Sequence, residues 1–291
     1  MLDTHVHFWQ FDTVRDAWID DSMQVIRRDF LPADLEPELR ANGITGCVAV
    51  QADQSEEETH FLLQLAANHD FVKKVVGWVD LRSPDIEERL EYFSQFEKLT
   101  GFRHIVQGEQ DVNFLLRNDF CRGISLLEQH GFTYDILVFP HQLGAVLEFV
   151  RRFPNQQFVI DHLAKPYIKD GFFDGWATMM RAIAQHENVY CKVSGIVTEA
   201  DWQSSWKYED FVPYLDLVTE AFGTNRLMYG SDWPVCLLGG VLYFKVDLKK
   251  PSPSPTTPLA SPHEPSAQRL PLFLYQNLGT AFLSAPRRRA R

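Results

Sequence analysis

The chain has 291 residues, 45% of them hydrophobic and 23% charged, an ordinary globular balance with material for a large core. Its formal net charge of −11 argues against nucleic acid as a partner. No stretch approaches the roughly 18 apolar residues of a membrane span, and Asp3 and His5 interrupt any apolar leader. The four cysteines (Cys47, Cys121, Cys191 and Cys236) form no CxxC pair and no zinc-finger spacing. They read as reduced thiols, so a cytoplasmic location is expected. Nothing in the composition marks an oligomeric state.

In chain order, eight short β-like runs alternate with longer amphipathic stretches. The runs are Leu2–Phe8, Gly46–Gln51, Val75–Leu81, Gly101–Gln107, Thr133–Phe139, Gln157–His162, Val189–Ser194 and Leu227–Gly230. Most are continuous and rich in Val and Ile, as strands buried on both faces should be. Between them, Ser55 to Glu58 has the form of a capping box. Ser83-Pro84 offers an N-cap and a first-turn proline. Asp119 to Gln129 stops near Gly131, and Asp210 to Phe222 stops at Gly223. Strands alternating with helices imply parallel β/α units. Eight closing on themselves make a (β/α)8 barrel of the α/β class; an open doubly wound sheet is the alternative, but no GxGxxG follows the first strand. Barrel active sites lie at the C-terminal strand ends. Polar residues gather there: His5 and His7, Gln51, Asp80, Arg103 to Gln107, Asp161 and His162, Lys192 and Ser194, and Ser231-Asp232.

Residues i and i+2 of a strand share a face, so His5 and His7 present two imidazoles side by side. Taken alone, such a pair is also what two exposed histidines at a frayed start would look like. His162 ends the sixth run; a histidine at a strand end is often only a hydrogen-bonded structural residue. Its neighbour Asp161, of opposite parity, is expected to face the helices. Asp232, in Tyr229-Gly-Ser-Asp-Trp-Pro, would alone pass for a turn or cap residue. Together they say more. Strands 1 and 8 adjoin in a closed barrel, so His5, His7, His162 and Asp232 converge on one point. Three imidazoles and a carboxylate bind a single Zn²⁺, or activate water and polarise a carbonyl without one.

The motifs Asp-Thr-His-Val-His-Phe-Trp, Asp161-His162-Leu-Ala-Lys-Pro, Lys192-Val193-Ser194-Gly195 and Tyr229-Gly-Ser-Asp-Trp-Pro together resemble the amidohydrolase superfamily. Residues 1–240 are similar to its amidohydrolase-2 branch of metal-dependent hydrolases and lactonases, and most to sugar-acid lactonases of the L-fuconolactone hydrolase type. The resemblance implies a hydrolase opening a sugar lactone, a small-molecule partner. Asp232 takes a proton from water; His5, His7 and His162 polarise the carbonyl or, with Asp232, hold a metal. It also implies that Arg103 touches substrate oxygen or carboxylate, though a rim salt bridge is an equal alternative. His104 has the opposite parity and is its rival. Binuclear members carry a bridging lysine on strand 4, which Gly101–Gln107 lacks, and Thr133–Phe139 has no histidine; His141 follows Pro140. One metal, or none, is therefore expected. Gln51, Gln107 and Arg103 suit sugar hydroxyls, and Trp9, Trp78 and Trp233 are candidate ring-stacking or packing residues. A zinc-dependent decarboxylase or amide hydrolase of the same superfamily, and an inactive isoform, are the alternative readings.

The end of the chain departs from this pattern. Residues 241–291 carry eight Lys/Arg against two Asp/Glu, a net of +6, which leaves −17 for residues 1–240. Eight of the 16 prolines also lie there. The first 240 residues are expected to form the barrel, and the Pro/Ser-rich basic tail to be disordered in place of an eighth helix.

Overall fold

A computed structural model of the chain describes residues 1–203 and 206–240. Its eight strands are β1 (Leu2–Val6), β2 (Gly46–Val50), β3 (Val72–Gly77), β4 (Leu99–His104), β5 (Thr133–Ile136), β6 (Phe158–Ile160), β7 (Val189–Val193) and β8 (Leu227–Tyr229). They pair in parallel, each with the next in sequence. The turn after β8 closes the ring on β1. Asp232 N donates to His5 O at 2.9 Å, His7 N to Trp233 O at 2.7 Å, and Thr4 Oγ1 to Tyr229 O at 2.7 Å. The fold is the expected (β/α)8 barrel, and the residues that close it are those carrying the candidate chemistry.

Seven helices lie between the strands: α1 (Pro32–Ala41), α2 (Glu56–Asn68), α3 (Ile86–Phe93), α4 (Asn118–His130), α5 (Leu143–Arg152), α6 (Asp174–Ala184) and α7 (Tyr208–Phe222). Each buries one stripe. On α5, Leu143, Val146, Phe149 and Val150 are buried at helical spacing, and Phe149 meets Phe120, Tyr134 and Phe158 at ring distances of 5.1–6.2 Å. Truncating such a ring to alanine costs about 3–5 kcal/mol. The punctuation works as expected at three sites. Ser55 accepts from Glu58 N, Gly131 ends α4 at φ +69°, and Gly223 follows α7 at φ +66°. Helix α3 begins later than Ser83-Pro84 suggests: Asp85 is its N-cap, and Ser83 Oγ instead accepts from Asp85 N in the preceding turn.

Beyond β8 the chain makes a short 3-10 turn at Val235–Gly239. The tail expected to be disordered, 241–291, lies outside the described residues. No described helix is long and apolar enough to cross a membrane.

Candidate active site

β1 keeps its alternation past its last ladder pair, so Asp3, His5 and His7 all turn inward and are buried. β6 ends at Ile160, and from His162 to Lys165 four consecutive residues take positive φ (52°, 55°, 55° and 49°). Each L-residue in that region costs about 1–2 kcal/mol, so packing must hold the turn. Leu163 and Ala164 are fully buried, Trp176 Nε1 donates to Leu163 O at 2.7 Å, and Lys165 N donates to His162 O at 2.7 Å. The left-handed turn is also why Asp161 does not face the helices. Strand parity stops applying at Ile160, and both Asp161 and His162 point into the barrel.

Four donor atoms meet at the mouth. His5 Nε2 lies 3.2 Å from His7 Nε2. Asp232 Oδ1 lies 3.4 Å from His7 Nε2, 3.8 Å from His5 Nε2 and 3.9 Å from His162 Nε2. Room for this convergence comes from Gly195, whose φ is +60°. A Cβ there would stand 2.5 Å from His162 Nδ1 and 3.1 Å from Asp232 Oδ2.

Beneath the histidines lies a layer of buried charge. Arg103 of β4 donates through Nη1 to Asp161 Oδ2 at 2.9 Å and through Nη2 to the Gln51 carbonyl. Lys192 of β7 reaches Asp135 Oδ2 of β5 at 2.5 Å and Asp161 Oδ1 at 2.9 Å. Asp161 Oδ1 also lies 3.4 Å from His5 Nδ1. Two cations and two carboxylates thus neutralise one another out of water, where an unpaired charge would be very costly.

These surroundings set the protonation states. Burial would raise the Asp161 carboxyl, but Lys192, His5 and Arg103 outweigh it and hold it well below the usual range. Burial would lower the Lys192 ammonium, and its two carboxylates raise it instead. Burial pushes Asp135 up, with Lys192 opposing. The imidazoles of His5 and His162 are pushed down by burial, His162 to about 4. Burial alone would raise Asp232, yet the surrounding histidines hold it below the usual carboxylate range. At neutral pH, His5 and His162 are therefore uncharged and Asp232 is an anion. Asp3 differs: burial lifts it to about 7, although its Oδ1 accepts from Ser231 N at 2.9 Å and His5 N at 3.2 Å.

Within this set, His5, His7 and Asp232 stand close enough to share one cation. His7 Nδ1 faces the Val50 carbonyl at 2.8 Å, an acceptor only, so the ring carries its proton there and Nε2 is a lone pair. His5 Nε2 faces the Arg103 guanidinium at 3.3 Å, a donor only, so it too is a lone pair. Two lone pairs opposed at 3.2 Å are what a shared cation relieves. A tetrahedral zinc with bonds of about 2.0–2.1 Å separates its ligand atoms by about 3.3 Å. The His5–His7 and His7–Asp232 separations match that edge and His5–Asp232 is slightly long, while His162 groups with His5 and Asp161 rather than with His7 and Asp232.

Of the other candidates, Arg103 points into the lumen and His104 does not. His104 stacks on Phe114 at 4.7 Å, bonds Glu109 at 2.7 Å and accepts from Trp78 Nε1 at 3.3 Å, all on the helix side of β4. Its strand parity, opposite to that of Arg103, is the reason. Trp233 is 2% exposed, its ring packed on Phe8 and Phe30, so no face is left for a ligand; it closes the barrel. Gln51 is buried at the end of β2, its Nε2 donating to Arg103 O at 3.0 Å while Oε1 has no partner. Gln107 Oε1 is likewise buried and unpartnered. Asp80 pairs with Arg82 away from this cluster, and His141 bonds Tyr167 at 3.1 Å. Asp3 and Asp135 were missed by the sequence reasoning. A charged residue inside an otherwise apolar buried strand, as in Tyr134-Asp135-Ile136, was the available signal.

A parallel barrel with two histidines from its first strand, a third after its sixth and an aspartate after its eighth, all at the C-terminal mouth, has the arrangement of a barrel hydrolase. The family model described as Amidohydrolase matches residues 2–277, and the chain belongs to that family. It is 41% identical over 246 residues to an L-fucono-1,5-lactonase of Burkholderia multivorans, covering 81% of this chain and 83% of that protein. An L-fucono-1,5-lactonase of Burkholderia ambifaria is 38% identical, with 82% of each chain covered. A crystal structure of a Burkholderia multivorans amidohydrolase with bound zinc matches at TM-score 0.78 and 41% identity, covering 81% of this chain and 85% of that one.

Proposed function

We propose that this enzyme hydrolyses sugar-acid lactones of the L-fucono-1,5-lactone type, in the cytoplasm, where its cysteines, none of them in a disulfide, stay reduced. The observation carrying the reading is the convergence of His5, His7, His162 and Asp232 in a chain 41% identical to a protein of that activity. A lactone is an ester closed in a ring. Opening it requires a base for water, stabilisation of the oxyanion and a proton for the departing ring oxygen.

In this reading the Asp232 carboxylate accepts a proton from water as the water oxygen bonds to the carbonyl carbon. His162 faces the carbonyl oxygen, while His5 and His7, whose Nε2 atoms are lone pairs, would act on the developing charge through a cation they hold rather than by donating hydrogen bonds. The bond from the carbonyl carbon to the ring oxygen then breaks. Asp232 returns its proton to that oxygen, leaving a hydroxyl and a free carboxylic acid. His5, His7 and Asp232 would hold a single divalent cation, which when bound supplies Lewis acidity to the carbonyl.

Arg103 orients Asp161 and the Gln51 backbone through its terminal nitrogens, while its buried Nε keeps no partner. Gln51 and Gln107 receive substrate hydroxyls, because each keeps an unpartnered buried side-chain oxygen that would otherwise be costly. The test is proton release from L-fucono-1,5-lactone by the purified chain. Turnover above the spontaneous rate supports the reading, and turnover of related amides or carboxylated aromatics but not of lactones sinks it.

A further inference from the structure

Lys165, Glu199 and Phe139 take no part in the chemistry described so far. Lys165 closes the left-handed turn that begins at His162. Glu199 ends the short turn that follows β7, and Phe139 follows the end of β5. All three therefore stand at the C-terminal face of the barrel, where barrel sites are built. After burial, the Lys165 ammonium is one of the influences that lower the His162 imidazole, which puts its charge within reach of the reaction space.

Lys165 Nζ lies 3.0 Å from Glu199 Oε1 and 5.5 Å from the centre of the Phe139 ring. The two charged side chains are only 18% and 11% exposed. Their pairing cancels net charge and leaves hydrogen-bonding capacity unused. An ammonium has three N–H groups, and Glu199 is its one polar partner among the described residues. Glu199 Oε1 takes Lys165 and, at 3.4 Å, the Thr198 hydroxyl, while Oε2 has no partner among the described residues. The half-buried Phe139 ring runs nearly parallel to those of His141 and Tyr167, at 21° and 27°. Glu199 and Tyr167 also border a cavity of about 290 Å³, so the pair adjoins open space. Donors and an acceptor side by side against an aromatic ring, without net charge, suit a neutral polyol. Its hydroxyls both give and take hydrogen bonds, and its C–H face is apolar.

We propose that Lys165, Glu199 and Phe139 form the subsite that selects a hydroxylated lactone ring: Lys165 Nζ donates to one ring hydroxyl, Glu199 Oε2 accepts from the neighbouring hydroxyl, and the Phe139 ring covers the apolar C–H face. The subsite rests on the lactonase reading and adds to it the groups that tell a sugar lactone from a bare one.

Lys165→Met keeps the length of the side chain and removes its donors. Kinetics compare L-fucono-1,5-lactone with δ-valerolactone, the same six-membered ester without hydroxyls. The expected result is a fall in kcat/KM of about 10-fold or more on the sugar lactone, carried mainly by KM, with δ-valerolactone within about 2-fold of the parent. Glu199→Leu, which removes the acceptor instead, should show the same split, so the test does not hang on the folding of one variant. Equal losses on both lactones, or none on either, overturn the proposal. In a second arm, saturation-transfer NMR titrates L-fucose, a sugar ring with no ester, into the parent and Lys165→Met. Binding by the parent that weakens about 10-fold in the variant supports the subsite; equal binding, or none by the parent, overturns it. This arm needs no turnover, so an absence of lactone hydrolysis with L-fucose binding intact counts against the lactonase reading alone.

Discussion

Replacing Gly195 by alanine probes how tightly the site is built. The backbone there sits at φ +60°, which costs an L-residue about 1–2 kcal/mol. The new methyl would also stand 2.5 Å from His162 Nδ1, 2.7 Å from His162 Cγ and 3.1 Å from Asp232 Oδ2. Overpacking of that kind costs about 1–3 kcal/mol more, a total of about 2–5 kcal/mol. The cheapest relief moves the His162 ring, and a displacement of about 1 Å at a catalytic group lowers rate about 100-fold. Gly171 is the matched control. Its φ is +66°, but no atom lies within 4 Å of a Cβ built there. Gly171→Ala should carry the backbone cost alone, about 1–2 kcal/mol, with turnover unchanged. Urea unfolding and kcat/KM for L-fucono-1,5-lactone read the two effects. Equal activity in the two variants would refute the claim that Gly195 is empty for the sake of His162.

Asp161→Asn leaves Lys192 and Arg103 undercompensated out of water and should cost about 3–5 kcal/mol in urea unfolding. Adding Lys192→Met should recover part of that loss, and a cost below about 1 kcal/mol for the single change would contradict the buried charge layer. Glu58, which accepts from Ala52 N at 3.2 Å, is lifted by burial to about 7. Native Glu58 thus holds its proton where the unfolded chain has released it. Its contribution is full below about pH 4.5 and is lost as pH rises through 7. Glu58→Gln should therefore gain on the parent by on the order of 3 kcal/mol between pH 4.5 and pH 8, and a difference flat across pH would refute it. Asp232 stays ionised and His162 neutral down to about pH 4, so neither group should contribute an acid limb to kcat/KM between neutral pH and about pH 5. Protonation of the His162 ring near the ordinary histidine value of about 6.5, followed by NMR, would contradict its assignment.

The barrel was legible because its strands are buried on both faces, and Val/Ile runs such as Val48-Ala49-Val50 leave a continuous signal. Strand ends were less so. The run through His162 reads as extended, yet β6 stops at Ile160 because four residues then turn left-handed, a conformation no propensity predicts for His-Leu-Ala-Lys. That one error carried Asp161 to the wrong side of the barrel. The convergence of His5, His7, His162 and Asp232 was legible from topology, since strands 1 and 8 must adjoin. The partners of Arg103 and Lys192 were not, because cross-barrel pairing with Asp161 and Asp135 depends on a three-dimensional layer that spacing along one strand does not encode.

The most direct measurement of the central claim is proton release from L-fucono-1,5-lactone by the parent and by Asp232→Asn, with circular dichroism to confirm folding of both. The account predicts turnover in the parent and, in the folded variant, a trace no faster than spontaneous hydrolysis. Near-parental turnover by Asp232→Asn would contradict it, because Asp161, the other carboxylate beside His5 among the described residues, is already paired with Lys192 and Arg103.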